Sequence, residues 1–139
     1  MTIYSQFQTD PAKENDGVPI EYGLNDDGTV PTFVISRTNR NNKVYAAAVD
    51  RETKPIRRML DSGNLPPAQA DKVYLKIFVK SILKGWTNVF GKDNELLPYN
   101  EENAMVLMQD LPDLYDELQD ASKRVANFRL ESLEVEAKN

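Results

Sequence analysis

Apolar and polar positions along the chain fall into four helical patterns and two short β-prone runs. The densest lies in LPPAQADKVYLKIFVKSILKG, where Val73, Tyr74, Ile77 and Ile82 share one side of a helix and Leu75, Phe78 and Val79 another. A helix apolar over so much of its surface belongs at the centre of a fold, packed on both sides. Pro66 and Pro67 suit its first turn, where a missing N–H costs nothing, and Gly85 suits its stop, which predicts a helix over 67–84. Trp86 follows that stop, where its ring folds back to close the core.

Upstream, Val44, Tyr45, Ala48 and Val49 form one face; Ile56, Met59 and Leu60 resume it after Pro55. The spacing predicts a helix over 40–61 with a kink at the proline and an end at Gly63. Downstream, Asn100 caps a helix over 101–109, with Glu101 and Glu102 favourable beside its positive end. A longer helix over 112–136 has Pro112 in its first turn. Along it Leu111, Leu114, Leu118, Ala121, Val125 and Phe128 recur at steps of three and four, a stripe of near-heptad period. Such a stripe is either core contact or a surface that meets another helix.

The first 37 residues differ. VPIEYG and TVPTFVIS are short β-prone runs around Asp27-Gly28, which predicts a hairpin over 18–37. The acids of that turn lack calcium-loop spacing: a loop begun at Gly23 reaches Val34, not Glu, at its last position. Residues 1–17 are polar and broken by Asp10-Pro11 and Asn15-Asp16-Gly17, and read as a flexible N-terminal arm. The expected fold is mainly α, a single domain over 18–139 of four to five helices preceded by a short N-terminal β-hairpin.

Composition narrows the chemistry. The 139 residues include no Cys and no His. That removes thiol and imidazole nucleophile systems, Cys/His zinc sites and histidine acid–base catalysis. Paired carboxylates such as Asp26/Asp27 or Glu101/Glu102 remain, but adjacent acids on turns and helix starts are ordinarily solvated ends. The expectation is a non-enzyme with no cofactor, no metal and no catalytic residue. No apolar run reaches the ~18 residues of a membrane span. Net charge is −5 but uneven. Arg37, Arg40, Lys43, Arg51, Lys54, Arg57 and Arg58 stand against Asp50 and Glu52, whereas from Asp93 onward twelve acids face four bases. The two halves either attract one another or offer the basic one to nucleic acid; overall acidity argues against the latter.

The order of these pieces resembles the tail assembly chaperones of long-tailed (siphovirus-type) bacteriophages and prophages. The resemblance runs through GVPIEYG and TFVISR, NNKVYAAAVDRETKPIRRMLDSG, and a helix ending in Gly-Trp followed by GKDNELLPY and ENAMVLMQDLPDLYDEL. Pro19 departs from it, standing where a bulky, often aromatic strand residue is expected. The resemblance implies a non-catalytic factor of the host cytoplasm, absent from the mature virion. Such a factor binds and solubilises the tape measure protein and helps recruit tail tube protein, with a possible homo-oligomer. It also implies a short form of a frameshifted pair, since the terminal Ala-Lys-Asn can be encoded on a slippery A-AAA-AAC run. On this reading Trp86, Tyr99, Leu114, Leu118, Val125 and Phe128 form the partner surface or its support. The rival readings are a small structural virion component (a tail completion or connector protein) and a nucleic-acid-binding regulator.

Overall fold

A computed structural model describes residues 2–130. The order is α1 (Ile3–Phe7), α2 (Pro11–Asp16), β1 (Val18–Glu21), β2 (Thr32–Ile35), α3 (Lys43–Thr53), α4 (Arg57–Ser62), α5 (Pro67–Ile77), β3 (Leu83–Thr87), α6 (Glu101–Asp110) and α7 (Pro112–Lys123). The fold is mainly α with an N-terminal hairpin, as the pattern predicts, but the hairpin belongs to a three-stranded antiparallel sheet in the order β1-β2-β3.

The third strand corrects the expected helix over 67–84. The α-helix ends at Ile77, continues as one π-helical turn, Phe78–Ile82, and then straightens into β3. Gly85 therefore pairs with Val34 instead of ending a helix, and Trp86 pairs with Phe33 in the middle of a strand. The cause is dense burial along the segment, with Tyr74 and Lys76 left outside. Leu75, Ile77, Phe78, Val79, Ile82, Leu83 and Trp86 all enter the core, so the apolar pattern runs through the change from helix to strand without a break. A near-continuous buried run such as Ile77–Leu83 carries no period by which helix and strand differ.

The core spans the sheet (Phe33, Ile35), the π turn (Phe78, Val79, Ile82), α6 (Ala104, Met108), α7 (Leu118, Ala121) and Phe128. α5 and the π turn are central, touching α3, α6 and β3. α3 is fastened to them by Glu52, which meets Arg51 at 3.0 Å, Lys76 at 3.3 Å and Lys80 at 3.9 Å. Burial pushes the Glu52 carboxyl up, but these cations outweigh it and hold it below its ordinary value. Pro55 sits in a 3₁₀ turn, Lys54–Ile56, which separates α3 from α4 as expected. Pro19 lies in β1, the edge strand, where a missing N–H breaks no ladder between neighbours.

Two expectations change at the chain ends. Residues 1–17, expected as a flexible arm, contain α1 and α2, and the apparent breakers are the ends of α2. Asp10 caps it, its carboxylate accepting from Ala12 N–H, and Pro11 takes the first position. Gly17 ends it at φ +102°, in a place where a Cβ would lie 2.8 Å from Val34 Cγ1. α2 is held by buried Glu14, which pairs with Arg37 at 2.7 Å and accepts from Thr9 Oγ1 at 3.0 Å. The final helix, expected over 112–136, ends at Lys123. Arg124 is extended and a 3₁₀ turn, Val125–Phe128, follows. Asn127 donates to the Ala121 carbonyl at 2.8 Å, beside the Arg124 N–H at 3.3 Å, and the turn swings Phe128 into the core. The part of that expectation beyond residue 130 lies outside the described residues.

A seam of buried polar side chains joins these parts. Ser36, Asn42, Ser81 and Ser122 are solvent-inaccessible. Asn42 caps α3 by accepting from Tyr45 N–H, and donates to Ser36 Oγ and the Arg37 carbonyl, both at 3.0 Å. Ser36 donates from its hydroxyl to the Ser81 carbonyl and from its backbone N–H to the Ile82 carbonyl. Replacing Asn42 by Ala removes the cap and leaves buried acceptors unpaired, an expected loss of roughly 2–3 kcal/mol in urea unfolding. Asn42→Asp, which keeps the cap but cannot donate, should recover only part of it. Neutral behaviour of Asn42→Ala would show that the seam contributes nothing to stability.

Candidate functional site

The six residues expected as partner surface or its support do not form one stripe. Leu118 and Phe128 are wholly buried, and Trp86 nearly so. The Trp86 indole N–H donates to the Leu97 carbonyl at 2.8 Å, and its ring meets Tyr99 edge-on at 5.0 Å. Tyr99 is part-exposed and donates its hydroxyl to the Leu83 carbonyl at 2.7 Å. Val125 is half-buried in the 3₁₀ turn, away from the axis of α7. Of the six, Leu114 alone lines the groove described next. Trp86, Leu118 and Phe128 can act only as support, and charged substitutions there would test folding, not binding.

The groove holds about 550 Å³ and lies where the sheet, the loop after β3 and the corner between α6 and α7 converge. Tyr22, Pro31 and Phe33 come from the hairpin, Val89 and Phe90 from the loop, and Leu107, Leu111, Pro112 and Leu114 from the corner. Asn25 and Asn88 join hairpin to loop: Asn25 donates to the Asn88 carbonyl at 2.7 Å and Asn88 to the Val30 carbonyl at 3.1 Å. Tyr22, Phe33 and Trp86 continue inward as edge-on rings 5.9 Å apart.

The corner explains why apolar surface stays open. Leu111 precedes a proline, which disfavours the helical conformation, and it takes φ −123°, ψ 73° between the two helices. Its side chain, 49 % exposed, projects at the groove edge instead of into the core. The rim is acidic. Asp110 ends α6, Asp113 lies in the first turn of α7, and Glu117 follows one turn later. Asp113 complements the positive end of its helix, whereas Asp110 sits at a negative end and is met by Lys92 at 3.4 Å. The sequence reading placed Leu111 in the apolar stripe but not among the surface residues. The signal that it stays outside was Pro112.

Three of the seven cations of the basic segment are paired close to home. Among the described residues Arg37 meets Glu14, Arg51 meets Glu52, and Arg57 lies 3.9 Å from Asp50, so none of these pairs reaches the acidic half. No group of three His, Cys, Asp or Glu among the described residues is arranged to hold a metal ion.

The acidic rim acts on the groove wall. Burial, and then the Glu117 carboxylate, raise the Tyr22 phenol above its ordinary value of 10.0. A raised phenol holds its proton more tightly in the folded chain than in the unfolded one. Its contribution to stability is therefore complete below about pH 10 and is lost as pH climbs through the raised value. Glu117→Gln should lower the Tyr22 titration without abolishing the shift, as read by ultraviolet difference titration with Tyr22→Phe identifying the signal. An unchanged titration would mean that Glu117 does not face the groove.

Comparison with known proteins gives one family. No curated protein and no solved structure matches the chain. A family model described as YdaY prophage protein matches residues 40–139, from just before α3 to the end of the chain, including α6, α7 and the acidic rim. The match covers well over half of the sequence, and the protein belongs to the YdaY prophage protein family.

Proposed function

We propose that this prophage protein is a tail assembly chaperone. It binds the tape measure protein in the host cytoplasm, keeps it soluble and helps recruit tail tube subunits, without catalysis and without becoming part of the virion. The observation that carries the proposal is the open apolar groove with its acidic rim. A tape measure protein exposes apolar stripes until its tube is built, and such stripes aggregate unless covered. A groove at a helix corner covers apolar side chains reversibly, and a net charge of −5 keeps the complex dispersed.

The test is co-expression with the tape measure protein encoded in the same prophage. The soluble fraction of that protein should rise several-fold, and Leu111→Asp should abolish the rise while leaving the circular dichroism spectrum unchanged. A tape measure protein equally soluble with and without this chain would refute the chaperone. Recovery of the chain in stoichiometric amounts from purified particles would instead favour a structural virion component.

A further inference from the structure

We infer that the occupant of the groove is an amphipathic helix of a partner protein, with lysine or arginine spaced four residues apart beside its apolar face. The inference rests on the reading of the groove as the partner site and specifies the partner's chemistry there. The walls are apolar side chains from the hairpin, the loop after β3 and the corner between α6 and α7. A helix presenting anchors at i, i+3 or i+4, and i+7 fills a trough of this kind.

The rim sets the charge. Asp113 and Glu117 are exposed, one helical turn apart on α7, and neither is in an ion pair among the described residues. Asp110 meets Lys92, whose side chain is 87 % exposed, so an incoming cation can take that contact over. Cations at four-residue spacing on a helix laid along α7 match the separation of Asp113 and Glu117.

Other segments of this chain fit less well. α1 exposes Ile3, Tyr4 and Phe7 but carries no cation. The sequence ESLEVEAKN, residues 131–139, brings three glutamates against one lysine to a rim that is already acidic. α3 carries Lys43 and Arg51, but Arg51 is paired with Glu52 and Val44 is the helix's one large exposed apolar side chain, too little to fill about 550 Å³.

Two synthetic helical peptides test this against the full chain by titration calorimetry. Both carry leucines at i, i+3, i+4 and i+7; one is flanked by lysines at four-residue spacing, the other by glutamates. At low salt the lysine peptide should bind at least about tenfold more tightly, and the gap should shrink as salt screens the rim. Asp113→Lys with Glu117→Lys should reverse the preference, and Leu111→Asp should weaken both peptides. Equal binding of the two peptides, or binding of neither, overturns the inference. So does a dimer in sedimentation that the two lysine substitutions dissolve and that excludes the peptide, because the occupant is then a second copy. If neither peptide binds while the tape measure protein is still solubilised through Leu111, the inference fails and the chaperone stands. If the lysine peptide binds as expected but the tape measure protein is not solubilised, the chaperone fails and the groove chemistry stands.

Discussion

The path of the chain from Ile35 to Asn42 is the constraint on which the remaining packing depends. Leaving β2, the chain is pinned to the interior at both ends of a part-exposed loop: Ser36 meets the π turn and Asn42 starts α3. Thr38 reaches Ser122 of α7, by hydroxyl contact at 2.7 Å and by its N–H to the Ser122 carbonyl. Sheet, central helix, α3 and α7 thus share one hydrogen-bonded seam, buried at Ser36, Asn42 and Ser81 and part-buried where Thr38 meets Ser122. An unpaired polar group in such a place costs about 1–3 kcal/mol, so a partly formed seam is worse than none. The seam favours one arrangement of these elements over near alternatives with similar apolar burial.

From that anchored end the fold opens towards the other. The central segment keeps one apolar face in the core, from Leu75 to Trp86, while it changes from α to π to β. Its last strand brings Trp86 between Phe33 and Tyr99, and Phe33 in turn forms part of the groove wall. The α6–α7 corner completes the opposite wall, with apolar residues facing in and carboxylates outside. The groove is thus backed on one wall by the aromatic core, through Phe33 on Trp86. Its open face owes its existence to one local rule, that the residue before a proline does not continue a helix.

Much of this was legible in the order of residues. The kink at Pro55, the Asn100 cap and the hairpin all follow from local signals, because turn and cap chemistry acts over three or four residues. What was not legible depended on distant partners. β3 was hidden because Leu83 to Thr87 is a strand only by pairing with β2; Lys84 and Gly85 have little strand preference of their own. The arm was misjudged for the same reason: Glu14 looks like a surface acid until Arg37, 23 residues later, is brought beside it. In the groove Leu114 was identified, but Tyr22, Phe33 and Phe90 come from segments that only the tertiary fold assembles. The near-heptad stripe is buried at Leu118 and Ala121 but not at Leu111, and after Ala121 the chain turns to bury Phe128.

The sole tryptophan has a practical consequence. Trp86 lies one ring behind the groove wall, fixed by its bond to Leu97 and held between two aromatic edges. An indole so placed is shielded from water, and its emission registers small displacements of Phe33. The molecule thus carries its own optical gauge of whether the groove is filled, with no dye attached and no second tryptophan to blur the signal.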